Sequence, residues 1–134
     1  MKYISLFSGI GGFELAIRNI FPKAECIGFS EVDKFALHVY QSHFPSHINL
    51  GDIKTITEDQ IKDLIDKHRG CDLLVGGFPC QNLSGLSRFS KTNADGLDGP
   101  KSGLFWNMIG VIKSIQKYNQ KYGVKLHVII ENNA

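Results

Sequence analysis

The chain predicts an α/β fold: a parallel sheet of about five strands with helices on both faces. Three observations predict it. Short apolar runs alternate with longer stretches of helical periodicity, turn residues punctuate nearly every junction, and the residues with versatile chemistry stand where the apolar runs end. Such alternation implies right-handed βαβ crossovers and a ligand site at the carboxyl ends of the strands. At 134 residues the chain suits a single domain.

The first apolar run, Tyr3 to Phe7, is broken by Ser8-Gly9-Ile10-Gly11-Gly12, after which Phe13, Leu15, Ala16, Ile17 and Ile20 recur at helical spacing. Ala24 to Phe29 reads as a second strand, and Phe35, Ala36, Val39 and Tyr40 mark a helix face that ends near Phe44-Pro45. Ile48 to Leu50 is a short third strand closed by Gly51-Asp52. A helix is predicted over 58–68, with Thr57 as its N-cap. Cys71 to Val75 is the fourth strand. From Gly77 to Pro100 the chain is dense in Gly, Ser, Asn, Asp and Pro, which predicts a long functional loop. Leu104, Phe105, Met108, Ile109, Val111, Ile112 and Ile115 form an amphipathic helix closed by Gly123, and Leu126 to Ile130 is the fifth strand.

Composition narrows the class. The chain is 43% hydrophobic and 21% charged, and no apolar run approaches the roughly 20 residues of a membrane helix. The opening residues are too quickly interrupted by glycine for a signal peptide, so a cytoplasmic location is expected. Cys26, Cys71 and Cys80 are odd in number and widely separated, which fits neither a disulfide framework nor a metal cluster. No metal is expected: His38, His43, His47 and His127 form no ligand pair. A net charge of +2 does not by itself select a nucleic acid.

Gly9, Gly11 and Gly12, between strand and helix, allow close approach of backbone to a ligand beside free amides at a helix start; the plainer reading is an ordinary tight turn. Glu14 stands where a dinucleotide fingerprint needs a small residue, which argues against a pyrophosphate. Glu31 is placed to accept hydrogen bonds from ribose hydroxyls, or simply to cap the next helix. Val32 is placed to pack on an adenine. Asp52 is either a turn residue or the acceptor for an adenine amino group. Cys80 follows Pro79 in the polar loop, whereas Cys26 and Cys71 lie in apolar strand contexts, so Cys80 is the candidate nucleophile. Glu131 ends a strand beside Asn132, where a carboxyl partly withdrawn from water can hold a proton, or cap the strand. Arg88 and Lys91 are candidate phosphate contacts. Lys101, Lys113, Lys117 and Lys121 read as a solvated surface.

In this order, Phe7-Ser8-Gly9-Ile10-Gly11-Gly12-Phe13, Glu31-Val32, Gly51-Asp52-Ile53, Gly77-Phe78-Pro79-Cys80-Gln81 and Glu131-Asn132 resemble the motifs of DNA cytosine-5 methyltransferases. The resemblance covers nearly the whole chain. It implies a Rossmann-like methyltransferase fold using S-adenosylmethionine and acting on a cytosine flipped out of double-stranded DNA. It implies further that Phe7, Ser8, Gly9, Ile10, Gly11, Gly12 and Phe13 line the cofactor pocket and that Glu31 holds the ribose. Val32 and Ile53 flank the adenine, Asp52 reads its amino group, and Phe78, Pro79 and Leu104 complete the contact. Cys80 attacks C6 of cytosine, Glu131 engages N3, and Asn132 helps hold the base; Gln81, Ser84 and Arg88 meet the DNA.

The pattern departs from the family at Asn133, where valine is common. The chain also ends before the family's arginine-bearing strand, target recognition domain and closing helix, so the expectation is an amino-terminal catalytic half, residues 1–134, completed by another chain or segment. A restriction-modification or phage setting fits the family. The rival readings are a cytosine-5 methyltransferase acting on RNA, a silent subunit that binds the cofactor without turnover, and a nicotinamide-dependent oxidoreductase. Glu14 and the Pro-Cys-Gln loop oppose the last.

Overall fold

The computed structural model describes residues 1–78 and 103–132. Its elements are β1 (Lys2–Leu6), α1 (Gly12–Ile20), β2 (Glu25–Ser30), α2 (Lys34–His43), α3 (Glu58–His68), β3 (Leu73–Phe78), α4 (Gly103–Asn119) and β4 (His127–Asn132), with single 3-10 turns at Ile53–Thr55 and Gln120–Tyr122. The strands form one parallel sheet in the order β2-β1-β3-β4. Between β1 and β3 the order passes over β2, so the sheet turns back on itself beside β1. A crevice opens there at the carboxyl ends.

The sheet has four strands where about five were expected. Ile48 to Leu50 contributes only an isolated parallel bridge, Phe29 to Asn49, because the backbone bonds from Phe29 N to Ile48 O and from Leu50 N to Phe29 O are not continued by Gly51. Gly51 has φ +91° and turns the chain away. β3 runs further than expected. Gly76, Gly77 and Phe78 pair with Ile130, Glu131 and Asn132, so Glu131 and Asn132 are the last residues of β4 and do not follow it.

Strand alternation sorts the core into two layers. Ile4, Leu6, Ile27, Leu74 and Phe78 face α3 and α4 and pack with Ile61, Ile65, Met108, Val111 and Ile115. On the opposite face, Tyr3, Leu73 and Val75 pack under Ile17 of α1, and Phe29 under Tyr40 and Phe44 of α2. The Tyr40 ring stacks on Phe29 with centroids 4.0 Å apart. α3 starts as its sequence directs: Thr57 Oγ1 accepts from Gln60 N while Gln60 Oε1 accepts from Thr57 N, a complete capping box. Arg69 then closes the helix in the left-handed region. α4 gives way to the 3-10 turn, and Gly123 ends it at φ +65°. Buried Asn119 ties this end to the sheet, accepting from Cys71 N and donating to Cys71 O, both at 2.9 Å.

Among the described residues no helix packs fully over either face of β4. Val128, Ile129 and Ile130 are 40%, 52% and 38% exposed, and among the described residues β4 pairs only with β3. No described helix is long and apolar enough to cross a membrane.

Candidate functional site

The crevice at the strand ends is a cavity of about 330 Å³ lined by Phe7, Ser30, Glu31, Val32, Asp52, Ile53, Lys54, Gly77 and Leu104. That volume lies within the range of small-molecule sites. Its walls come from the end of β1, the end of β2, the turn after the Asn49 bridge, β3 and the start of α4. Residues far apart in sequence thus meet because parallel strands end on one edge.

Three devices shape it. Phe7 leaves β1 at φ 51°, a left-handed conformation rare for a bulky residue, and its ring meets Phe78 edge-to-face at 5.5 Å. The glycine turn follows, with Gly9 at φ +59° and Gly11 at φ +99°, closed by a bond from Gly11 N to Ser8 O. Gly11 is required twice over. A Cβ there would stand 2.7 Å from Phe44 Cε2, and its φ disfavours any side chain. Gly11 caps α1 without a side chain, so no side chain of its own competes for the first amides of the helix.

The second device is Glu31. Its Oε1 accepts from Gly9 N at 2.7 Å, and its Oε2 accepts from Val32 N and Asp33 N, both at 2.9 Å. Glu31 is not the cap of α2: Asp33 is, accepting from Ala36 N. A carboxylate has about four acceptor positions, so three bonds leave capacity for a ligand hydroxyl. The third device is the Gly51-Asp52 turn, where Ser30 Oγ donates to Gly51 O at 2.6 Å and Asn49 Oδ1 accepts from Gly51 N at 2.9 Å. Asp52 Oδ1 accepts from Lys54 N at 2.9 Å. Asp52 thus fills the turn role while also lining the cavity.

Of the sequence candidates, the cavity brings together Phe7, Glu31, Val32, Asp52, Ile53 and Leu104. Gly9 joins through its amide on Glu31. Ile10 and Gly12 are exposed on the turn, and Ser8 is buried with its hydroxyl unpaired. Phe13 packs instead with the α1 layer, and Phe78 lies in the α3–α4 core, so neither lines the cavity. Glu131 sits over β3: its Oε2 would be 3.8 Å from a Cβ on Gly77. It is exposed, and among the described residues no helix packs over it. Asn132 is its exposed neighbour. Pro79, Cys80, Gln81, Ser84, Arg88 and Lys91 lie outside the described residues. Sequence reasoning passed over Ser30, Asn49 and Lys54. Ser30 and Asn49 work through backbone bonds to a distant turn, which no local pattern announces; Lys54 is signalled only by its place beside Asp52.

Comparison with known proteins gives this arrangement a lineage. The family model of the C-5 cytosine-specific DNA methylases matches residues 1–132. The chain belongs to that family. It is 36% identical over 118 residues to the orphan methyltransferase M.Rho11sI of Bacillus phage rho11s, covering 87% of this chain and 21% of that protein. It is 32% identical over 122 residues to the DNA (cytosine-5)-methyltransferase DRM2 of Arabidopsis thaliana, covering 87% of this chain and 19% of that protein. The chain thus spans about a fifth of the length of these family members. A mutant DNMT2 of Spodoptera frugiperda superposes with a TM-score of 0.68 at 25% identity, over 98% of this chain and 35% of that one. The Dnmt2 of S. pombe shares the fold at a TM-score of 0.62 and 18% identity, over 98% of this chain and 33% of the other. Membership confirms the α/β, Rossmann-like reading, and the ordered motifs that suggested the family fall within the matched span.

Proposed function

We propose that the chain is the cofactor-binding and nucleophile-bearing part of an S-adenosylmethionine-dependent enzyme that methylates C5 of cytosine in DNA. The observation that carries this is the cavity itself, in which a carboxylate with spare acceptor capacity, an adjoining apolar residue and a second carboxylate stand in series at the sheet's switch point. The donor set fits a nucleoside. Glu31 accepts from ribose hydroxyls, Val32 and Ile53 flank a purine, and Asp52 accepts from its exocyclic amine. Phe7, Leu104 and the amides of the glycine turn hold the remainder. Bound there, S-adenosylmethionine would supply an electrophilic methyl group.

In this proposal, Cys80 as thiolate adds to C6 of a flipped cytosine while Glu131, protonated, donates to N3. The ring electrons move to C5 and give it nucleophilic character. After methylation, loss of the C5 proton expels the Cys80 sulfur and restores the ring. Asn132, beside Glu131 on β4, orients the base, while Gln81, Ser84 and Arg88 engage DNA. Glu131 needs a drier setting than β4 alone provides to keep its proton near neutral pH. A second polypeptide or a further segment, bearing target recognition, would supply that cover.

Trapping on an oligonucleotide containing 5-fluorocytosine tests the reaction, since fluorine cannot leave C5 as a proton does. With S-adenosylmethionine and the completing partner, a covalent adduct is expected from the wild type and none from Cys80→Ala. Absence of an adduct across varied DNA sequences, with an RNA substrate trapped in its place, would move the activity to RNA.

A further inference from the structure

The described buried side-chain atoms without a hydrogen-bond partner are Ser5 Oγ, Ser8 Oγ and both carboxyl oxygens of Glu14. All lie within one stretch, the end of β1, the glycine turn and the first turn of α1. Buried polar atoms are nearly always paired, so a cluster of exceptions asks for a cause. Glu14 is only 1% exposed. Its carboxyl lies by Ser5 of β1 and Tyr40 of α2, whose hydroxyls, with its own backbone, only partly offset the effect of burial, and it is within electrostatic reach of Tyr3 and Cys26. An ionised carboxylate there, with no cation bonded to it, would be very costly. A neutral carboxyl carries its own proton and can donate it to the unpaired Ser5 hydroxyl.

We propose that Glu14 is carried as a neutral acid that braces the glycine turn against β1 and α2, making it a positioning residue for the cofactor pocket. Towards β2 the turn is held by the Gly9 amide on Glu31 and by Ser8 N on Ser30 O. Gly11 has no side chain, yet it abuts Phe44 and Tyr40 so closely that a shift of α2 reaches the turn directly. Glu14, two residues into α1 from Gly12, is the side chain that joins these three elements. Its ionisation would place a charge in the brace and loosen the turn whose Gly9 amide holds Glu31.

Burial pushes the Glu14 carboxyl above its ordinary range. Burial raises Tyr3 and Tyr40 well above their ordinary range and the Cys26 thiol to about 12. His47, bonded to Tyr40 Oη at 2.8 Å, is lowered by burial and by the Arg18 charge towards the range into which Glu14 rises, and a Glu14→Gln variant, which keeps His47, separates the two. Folded Glu14 thus holds its proton to higher pH than the unfolded chain does, so stability is full at low pH and declines as pH rises through the folded value.

The proposal rests in part on the cofactor reading, so its test has one arm without ligand. In thermal melts from mildly acidic to alkaline pH, the wild type should lose stability relative to Glu14→Gln, a neutral analogue of the protonated acid. A protonated-carboxyl infrared band present in wild type and absent in Glu14→Gln is expected at neutral pH. With S-adenosylhomocysteine, wild-type affinity should fall with pH, by up to about tenfold per unit above the Glu14 value, while Glu14→Gln stays flat; Glu14→Leu, apolar and one heavy atom smaller, should bind weakly throughout. Parallel melting curves and no such band would overturn the proposal. Divergent melts with no binding by any variant would support the neutral acid and count against the cofactor reading.

Discussion

At the scale of single residues, the site depends on a few atoms that serve two masters. Glu31 holds the glycine turn to β2 before any ligand is present, so Glu31→Ala removes both the proposed ribose acceptor and the anchor of Gly9, Val32 and Asp33. Hydrogen bonds to a charged group contribute about 1.5–3 kcal/mol, so affinity for S-adenosylhomocysteine, measured by calorimetry, should fall by about tenfold or more. Glu31→Gln retains one acceptor oxygen and should lose less. The cysteines divide by environment. Burial pushes the Cys26 and Cys71 thiols up to about 12, leaving almost no thiolate at neutral pH. Iodoacetamide should therefore spare both in the folded chain, with Cys80 the expected target and mass mapping of the peptides as readout. Raising the pH toward that value, or unfolding, should bring the other two into reaction.

At the scale of elements, the capping box of α3 and the Asn119 clamp are separable from the cavity. Thr57→Ala should cost about 1 kcal/mol in thermal unfolding. Asn119→Ala strips two bonds from the buried Cys71 backbone and should cost roughly 2–4 kcal/mol, with little change in ligand affinity for either variant. What the sequence made legible follows the same division. The Thr57 cap, the Gly123 stop and the helix spans could be read because their causes are local, within one turn of chain. The Ile48 to Leu50 strand was over-read, since three β-prone residues look alike whether they form a ladder or one bridge. Gly77-Phe78 was under-read as loop because glycine and proline dominate the next stretch, while its pairing with Glu131 and Asn132 is a tertiary event. The burial of Glu14 was equally hidden: its type predicts surface, and only the packing of α1 on α2 puts it inside.

At the scale of the whole molecule, the uneven covering of the sheet is the dominant feature. β1 and β3 are enclosed, whereas β4 offers Ile129 on one face and Val128 and Ile130 on the other. An apolar edge strand of this kind is a template for pairing with other chains. Ile129→Lys should reduce concentration-dependent association in analytical ultracentrifugation while leaving the melting temperature nearly unchanged, because the residue makes little buried contact to lose. Amide hydrogen exchange should rank β4 well below β1 and β3 in protection. That Phe7, Glu31, Val32, Asp52, Ile53 and Leu104 meet in one cavity was legible because each stands at or near a strand end or helix start; the exposure of Glu131 was not, since it depends on what packs beside β4 and not on the residues of β4 themselves.

The three amides gathered on Glu31 also bear on how quickly the crevice can be filled. A loop that must fold around its ligand gives up conformational freedom at the moment of encounter, which weakens binding and slows it. Here that freedom is surrendered during folding, because the Gly9 amide and the start of α2 are already fastened to the same carboxylate. The entropy of ordering then belongs to the folding of the chain and not to the arrival of a ligand.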